Sequence, residues 1–372
     1  MRQGVRATDG TCPRRGDGGV LADLLAMAIP LCQEAQRRRG PPRTGPGRPP
    51  VYADWQVAAL IVVAVLKKRK TKSAQYRFLS ENRAALLPPL GLDRLMSRSD
   101  YFDRHPRAAA LLDGAVAVQG RLALRERVAD AAVVAVDKSL VPARGPPWHQ
   151  RDRRRGVVPA GRRGRGVDRE AAWGYSGHDD WVYGYSYEVV VTATRGSVPF
   201  PLLASAGVAS ASEHRTFAAK VPRLPPSVRF VDCDAGYDSG PAGDAVERDA
   251  RTGRPTGRRF LCPPQPRAHG PAPGRAKQKG ARARSLAARR RRYRFYRSRR
   301  GRQVYRRRAR TVEPFNQWFK HLFEIEDAAW HRGLGNNRTM ILAAVFCYQL
   351  LVRYNRRRGR RDACVQWILD GL

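Results

Sequence analysis

The chain has 372 residues, of which 42% are hydrophobic, enough apolar surface to bury a core and too much for a wholly disordered polycation. Its 71 Lys+Arg outnumber its 32 Asp+Glu to give a formal charge of +39, an excess that repels itself unless an anionic partner such as nucleic acid neutralises it. The six cysteines, at 12, 32, 233, 262, 347 and 364, form no CxxC pair or zinc-spaced cluster, which argues against a disulfide framework or zinc finger and fits a reducing cytoplasm. Nowhere does an apolar run reach the ~18 residues that span a bilayer, so no membrane partner is expected.

Residues 1–50 are Arg/Gly/Pro-rich, with one helical stretch, VLADLLAMAIPLC, and a linker, RRRGPPRTGPGRPP, that places Arg48 between Gly and Pro as extended minor-groove arms do. DWQVAALIVVAVLKK, SAQYRFLSENRAALL and SDYFDRHPRAAALLDGAVAVQGRLAL then read as helices, so 51–128 is expected to be a small helical domain. Beyond it the texture changes. AAVVAVD (131–137) is a short β-branched run stopping at Asp137, and WVYGYSYEVVVTAT (181–194) is a long strand broken at Gly184. SVPFPLLAS, a helix from Ser210, the strand SVRFVDCD, a weak helix SGPAGDAVERDA and the strand RRFLCPP follow. Three strands, a helix, then strand, helix and strand is the order of a mixed sheet with helices around it.

Residues 264–310 form a basic insertion; from Arg275 to Arg310 it carries 18 Lys/Arg and no acid. It is expected to be mobile without a partner, with Tyr293, Phe295, Tyr296 and Tyr305 placed to stack on bases. In RTVEPFNQWFKHLFEIED, Thr311 reads as an N-cap and Pro314 as a first-turn residue. Phe315, Phe319, Leu322 and Phe323 make a buried stripe, while Glu313, Gln317 and Lys320 share another face. A C-terminal helical segment occupies 336–372.

Three acids thus stand at element ends: Asp137, Asp232 or Asp234, and Glu313. Hard oxygen donors from separate elements suit Mg²⁺, and a pair of such ions about 3.5–4 Å apart suits phosphodiester cleavage. On a strand Asp232 and Asp234 share a face, so geometry does not choose between them.

The series AVDKSL, WHQRDRRRGVVP, GVDREAAWGYS, WVYGYSYEVVV, DAGYDS and RTVEPFNQWFKHLF resembles, over about residues 40–355, the insertion-sequence DDE transposases with a ribonuclease-H-like core, most closely the group with a Y-R-E-K signature. The resemblance implies an α/β fold, a mixed-sheet ribonuclease-H-like core over 129–335, with an N-terminal helical DNA-binding domain. It implies Asp137, Asp234 and Glu313 as catalytic acids and metal ligands, the D-x-G-Y-D pattern choosing Asp234, with two Mg²⁺ ions for which Mn²⁺ can substitute. Lys320, at E-x6-K spacing, Arg310, Arg308, Tyr305 and Arg48 are the DNA-binding candidates. The signature Y-x2-R-x3-E is displaced here: the arginine position holds Ala309, flanked by Arg308 and Arg310, and Tyr305 is one residue off.

The activity implied is metal-dependent cleavage at transposon ends and 3′-hydroxyl strand transfer. The implied partners are double-stranded DNA (terminal inverted repeats and target) and a second copy of the chain, on bacterial chromosomal DNA. A degenerate copy that only binds terminal repeats, or another ribonuclease-H-like nuclease, are the alternatives. His149, Trp173 and His214 are weaker site candidates; His178, Asp179 and Asp180 read as a loop cluster and Asp238 as a cap.

Overall fold

The computed structural model describes residues 17–40, 51–157, 166–265 and 281–372. Arg48 lies outside them, as does the part of the basic insertion from 266 to 280. The helical first part consists of α1 (Asp17–Arg39), α2 (Asp54–Leu66), α3 (Lys72–Glu81), the single turn α4 (Arg83–Leu86), α5 (Arg98–Arg104) and α6 (Ala109–Arg125). Helix α2 is apolar all round, and Gln56 to Leu66 are all buried, so it is wrapped on every side rather than lying on a surface. Asp54 does not cap this helix; Ala53 holds that position, and Asp54 in the first turn pairs with Arg104 at 2.7 Å.

The sheet is built from β1 (Val133–Pro142), β2 (Ala172–Ser176), β3 (Asp180–Thr192), β4 (Pro201–Val208), β5 (Phe230–Cys233) and β6 (Arg259–Leu261), with the short helix α7 (Gln150–Arg154) before β2, α8 (Glu213–Lys220) before β5 and α9 (Gly240–Glu247) before β6. Strand β3 pairs antiparallel with β1, β2 and β4, while β1, β5 and β6 run parallel. Counted from β4, the order is β4-β3-β1-β5-β6, a mixed sheet in an α/β fold.

Two strands differ from their sequence expectation. Strand β1 does not stop at Asp137: it runs on to Pro142 because β3 is long enough to pair with it throughout, Asp137 facing Val189 and Pro142 facing Gly184. Nor does Gly184 break β3; a Cβ there would meet the Val141 carbonyl oxygen at 2.1 Å, so glycine is what lets β1 approach.

The basic insertion is also more ordered than its composition suggests. From Ala281 it folds into α10 (Ala281–Arg297) and α11 (Arg299–Ala309), followed by α12 (Val312–Leu322), α13 (Leu334–Arg357) and α14 (Gln366–Asp370). The acids that neutralise it come from α9 and its flanks: Arg292 pairs with Asp244 at 2.5 Å and Glu247 at 3.0 Å, and Arg289 with Asp238 at 2.7 Å. Its aromatics are engaged within the protein. Phe295 stacks on Phe230 with ring centroids 6.0 Å apart, and Tyr296 meets Tyr305 edge-on at 5.1 Å. They are therefore not the free stacking platform that the sequence suggested.

Helix α13 packs on α2, α6 and β4. Its buried Gln349 donates to the carbonyls of Val116 on α6 and Pro201 on β4, so elements from both ends of the chain close over one region of the sheet.

Candidate active site

The site grows from the parallel pairing of β1 with β5. Their register sets Ala135 beside Asp232 and Val136 beside Cys233; continued by one pair, it sets Asp137 beside Asp234. Asp234 follows the last residue of β5, where its carboxylate accepts the Gly236 N–H at 3.0 Å and fixes the turn. The rest of DAGYD holds that turn in place. A Cβ on Gly236 would lie 2.7 Å from the Glu213 carboxylate. Tyr237 is fully buried and donates to Glu188 at 2.8 Å, and Asp238 accepts from Gln265, Arg289 and Tyr293, tying the turn to α10. Asp238 is thus an anchor for the basic helix rather than a cap.

Glu213, at the start of α8, is drawn close to the same turn. Burial raises its carboxyl, and the nearby Asp234 charge adds to the effect. Beneath the turn, Glu188 and Lys220 form a buried pair at 2.6 Å, with Thr216 also donating to Glu188.

Glu313 arrives from the other side, in the first turn of α12. The stripe Phe315, Phe319, Leu322 and Phe323 is buried, with Phe319 against Tyr187 of β3 at 5.2 Å, and this packing fixes the helix over β1. Thr311 sits at the N-cap position but its hydroxyl donates backwards to the Arg307 carbonyl at 2.8 Å instead of capping.

One arginine joins the elements. Arg308, 8% exposed near the end of α11, donates to Asp137 Oδ1 at 2.7 Å and to Glu313 Oε1 at 2.8 Å. The second oxygen of Asp137 accepts from Asn316 Nδ2 at 2.7 Å. Burial pushes the Asp137 carboxyl up to about 7; Arg308 opposes that shift, and the negative charges of Asp234 and Glu313 add to it. The three acids thus face one another electrostatically with a guanidinium between two of them. Among the described residues no three acidic, His or Cys ligands stand close enough to hold a metal as they are. The donor set nonetheless fits a hard divalent cation: carboxylate oxygens from separate rigid elements, with a cationic group already between two of them.

The other sequence candidates fall in different places. Lys320 lies 3.9 Å from Asp179 in the β2–β3 turn, and burial lowers its ammonium. Tyr305 is half-buried one turn before Arg308, its phenol raised by burial, and Arg310 is exposed. His214 is exposed, its ring 3.3 Å from the Ser239 hydroxyl. The indole of Trp173 donates to the Trp148 carbonyl and packs on Tyr183.

Asp232 is wholly buried, and among the described residues neither of its oxygens has a partner. Burial pushes its carboxyl up to about 8, with Arg307 and Arg308 pulling the other way.

Sequence reading missed Asn316, although its i,i+3 relation to Glu313 was a usable signal; Gln317, chosen for that face, is exposed. It also missed the role of Arg308, because the extra residue before Glu313 hid the Y-x2-R pair. That residue is absorbed in the break between α11 and α12, at Arg310 and Thr311, so Arg308 still reaches Glu313.

No helix among the described residues is long and apolar enough to cross a membrane, and the described cysteines are free. No curated protein matches the chain. Among solved structures it is similar to a piggyBac transposase in a synaptic complex with hairpin DNA, at 10% identity and a TM-score of 0.34, covering 97% of this chain and 80% of that one. The family model for the transposase DDE domain matches residues 129–350, the span that holds the whole sheet, Asp137, Asp234, Glu313 and most of α13, and the chain therefore belongs to the DDE transposases.

Proposed function

We propose that this chain is a DNA transposase of the insertion-sequence type, cutting transposon ends and joining their 3′-hydroxyls to target DNA. The observation that carries this reading is the approach of Asp137, Asp234 and Glu313 from β1, the β5 turn and α12, Asp137 and Glu313 being bridged by Arg308 and Asp234 adding its charge at Asp137. The strand order β4-β3-β1-β5-β6, antiparallel on one side of β1 and parallel on the other, supports a ribonuclease-H-like core.

Asp137, Asp234 and Glu313 would hold Mg²⁺ or Mn²⁺, as one or two ions, which when bound supply Lewis-acid chemistry at a phosphodiester. The protein's own part is placement. Asn316 fixes the orientation of Asp137, the Gly236 N–H that of Asp234, and the Phe stripe of α12 the position of Glu313. Lys320, about two turns along α12 from Glu313, exchanges Asp179 for a backbone phosphate near the cut. Tyr305 and exposed Arg310 extend that contact, and Arg48 in the Gly/Pro linker enters a minor groove. The helical region 51–128, with Arg69, Lys70, Arg77 and Arg83 exposed around α3, binds the terminal inverted repeats. Action on two ends makes a homodimer the working unit, on chromosomal DNA in the bacterial cytoplasm.

A copy that binds repeats without cutting them is the second reading, favoured by Arg308 standing where a cation must enter. The test is duplex DNA carrying the inverted repeats that flank the reading frame, incubated with Mg²⁺ or Mn²⁺. Nicks leaving a 3′-hydroxyl are expected, abolished by Asp234→Asn with binding retained. Cleavage surviving in Asp234→Asn refutes the site; binding without cleavage by the unaltered chain supports the second reading.

A further inference from the structure

Asp232 is the acid in the core for which the site gives no use. It is 0% exposed, both of its oxygens lack a partner among the described residues, and a buried carboxyl in that state is costly unless something is gained by keeping it. Its position is informative. It pairs in register with Ala135, two residues before Asp137 on the neighbouring strand, so both acids point to the same face of the sheet, the face covered by α11 and α12. From strand spacing, their Cα atoms are roughly 8 Å apart. Helix α11 lies over β5, and Arg307 and Arg308 are the cations whose charges reach Asp232.

Arg308 is correspondingly incomplete. It bonds Asp137 and Glu313 through its two terminal nitrogens, while its buried Nε has no acceptor among the described residues. A divalent cation held by Asp137 and Glu313 must share those two carboxylates with the guanidinium or displace it. Displaced towards solvent, the guanidinium would have to leave the place that α11 gives it. Displaced along the face of the sheet, it meets Asp232.

Resting on the metal-dependent reading above, we infer that Asp232 is a positioning residue: it receives the Arg308 guanidinium when a divalent cation takes the place between Asp137 and Glu313. Arg308 is then a two-position group. In the metal-free chain it keeps Asp137 and Glu313 from repelling each other, and with metal present it becomes the hydrogen-bond partner of Asp232. Both positions are on the sheet face that α11 covers, so the exchange is a swing of the guanidinium along that face.

The experiment titrates Mn²⁺ alone into the purified full chain without DNA, read by electron paramagnetic resonance. Partners of metal ligands act on affinity on a scale of about 10–100-fold. Arg308→Gln, which removes the competing cation, is expected to bind Mn²⁺ about tenfold more tightly, a gain that misfolding cannot mimic. Asp232→Asn, which removes the alternative seat, is expected to bind about tenfold more weakly. Adding Asp232→Asn to Arg308→Gln is expected to change nothing further, because there is no guanidinium left to seat. An unchanged affinity in Asp232→Asn, the same loss in the Arg308→Gln background, or no gain in Arg308→Gln alone overturns the inference. If Mn²⁺ binding is indifferent to Asp137→Asn, the metal-dependent reading itself has failed, and this inference with it.

Discussion

Lys220 and Glu188 offer the sharpest test of how the site is supported. Each side chain is 2% exposed and their charges meet at 2.6 Å, with Thr216 and Tyr237 donating to the second glutamate oxygen at 2.7 and 2.8 Å. Replacing Lys220 with Met leaves a buried carboxylate with two neutral donors and no directly bonded cation, the charge of Lys138 across the strand pair reaching it only at a distance. Breaking a buried pair in this way costs about 3–5 kcal/mol. Changing Glu188 to Gln as well removes the orphaned charge while keeping an acceptor for Thr216 and Tyr237. The double variant is therefore expected to recover most of the loss, leaving about 1–2 kcal/mol for the hydrogen bonds disturbed. Urea unfolding of the two single variants and the double closes the cycle. A double variant as unstable as the sum of the singles would refute the argument, because the cost would then lie in packing rather than in an unpaired charge. The same cycle should show in the proposed DNA cleavage, since Tyr237 holds the turn that carries Asp234.

Three further outcomes are expected. Gly184→Ala places a methyl 2.1 Å from the Val141 carbonyl and must push β1 from β3; a loss of at least about 1–3 kcal/mol, the usual cost of overpacking, should be measurable by urea unfolding, and an unchanged midpoint would disprove the contact. His105 is buried against His331 at 5.0 Å and its imidazolium is disfavoured, the pKa being lowered to about 3 by burial, then by the Lys72 charge. Its folded pKa lies below its unfolded one, so its contribution to stability is present above about pH 6.5 and is lost as pH falls towards 3, at up to about 1.4 kcal/mol per pH unit; His105→Phe should flatten the thermal-stability profile over that range, and a profile of unchanged slope would contradict it. Duplex binding should weaken with salt by about 0.9 log units per log unit of salt for each phosphate neutralised, as read by fluorescence anisotropy, and a flat dependence would rule out a backbone-neutralising surface.

Much of this arrangement can be read from the sequence because apolar runs end in acids at few places. FVDCDAGYDS shows a strand meeting a turn, and the D-x-G-Y-D pattern selects the aspartate whose carboxylate caps that turn. The α12 stripe is legible for the same reason: 3.6-residue periodicity survives even beside a strongly basic segment. What stays hidden is pairwise. Nothing local says that Asp244 and Glu247 neutralise Arg292, so a segment read as mobile from its charge is a packed helix. The length of β1 beyond Asp137 depends on β3, nearly fifty residues later. Arg308 could not be placed by motif spacing because a helix break, invisible in a residue count, takes up one position.

Helix α13 also sets a timetable for synthesis. Helix α2 has Gln56 to Leu66 buried, and part of that cover is supplied by residues beyond 334. At about 5–20 residues per second, the ribosome needs roughly 15–60 s to go from α2 to the end of α13. For that interval the nascent chain carries an uncovered apolar helix beside a growing arginine load, attractive to chaperones and to any RNA within reach. A product cut short before Leu334 would keep that helix uncovered permanently, and it should partition into aggregates however well its basic segments hold nucleic acid.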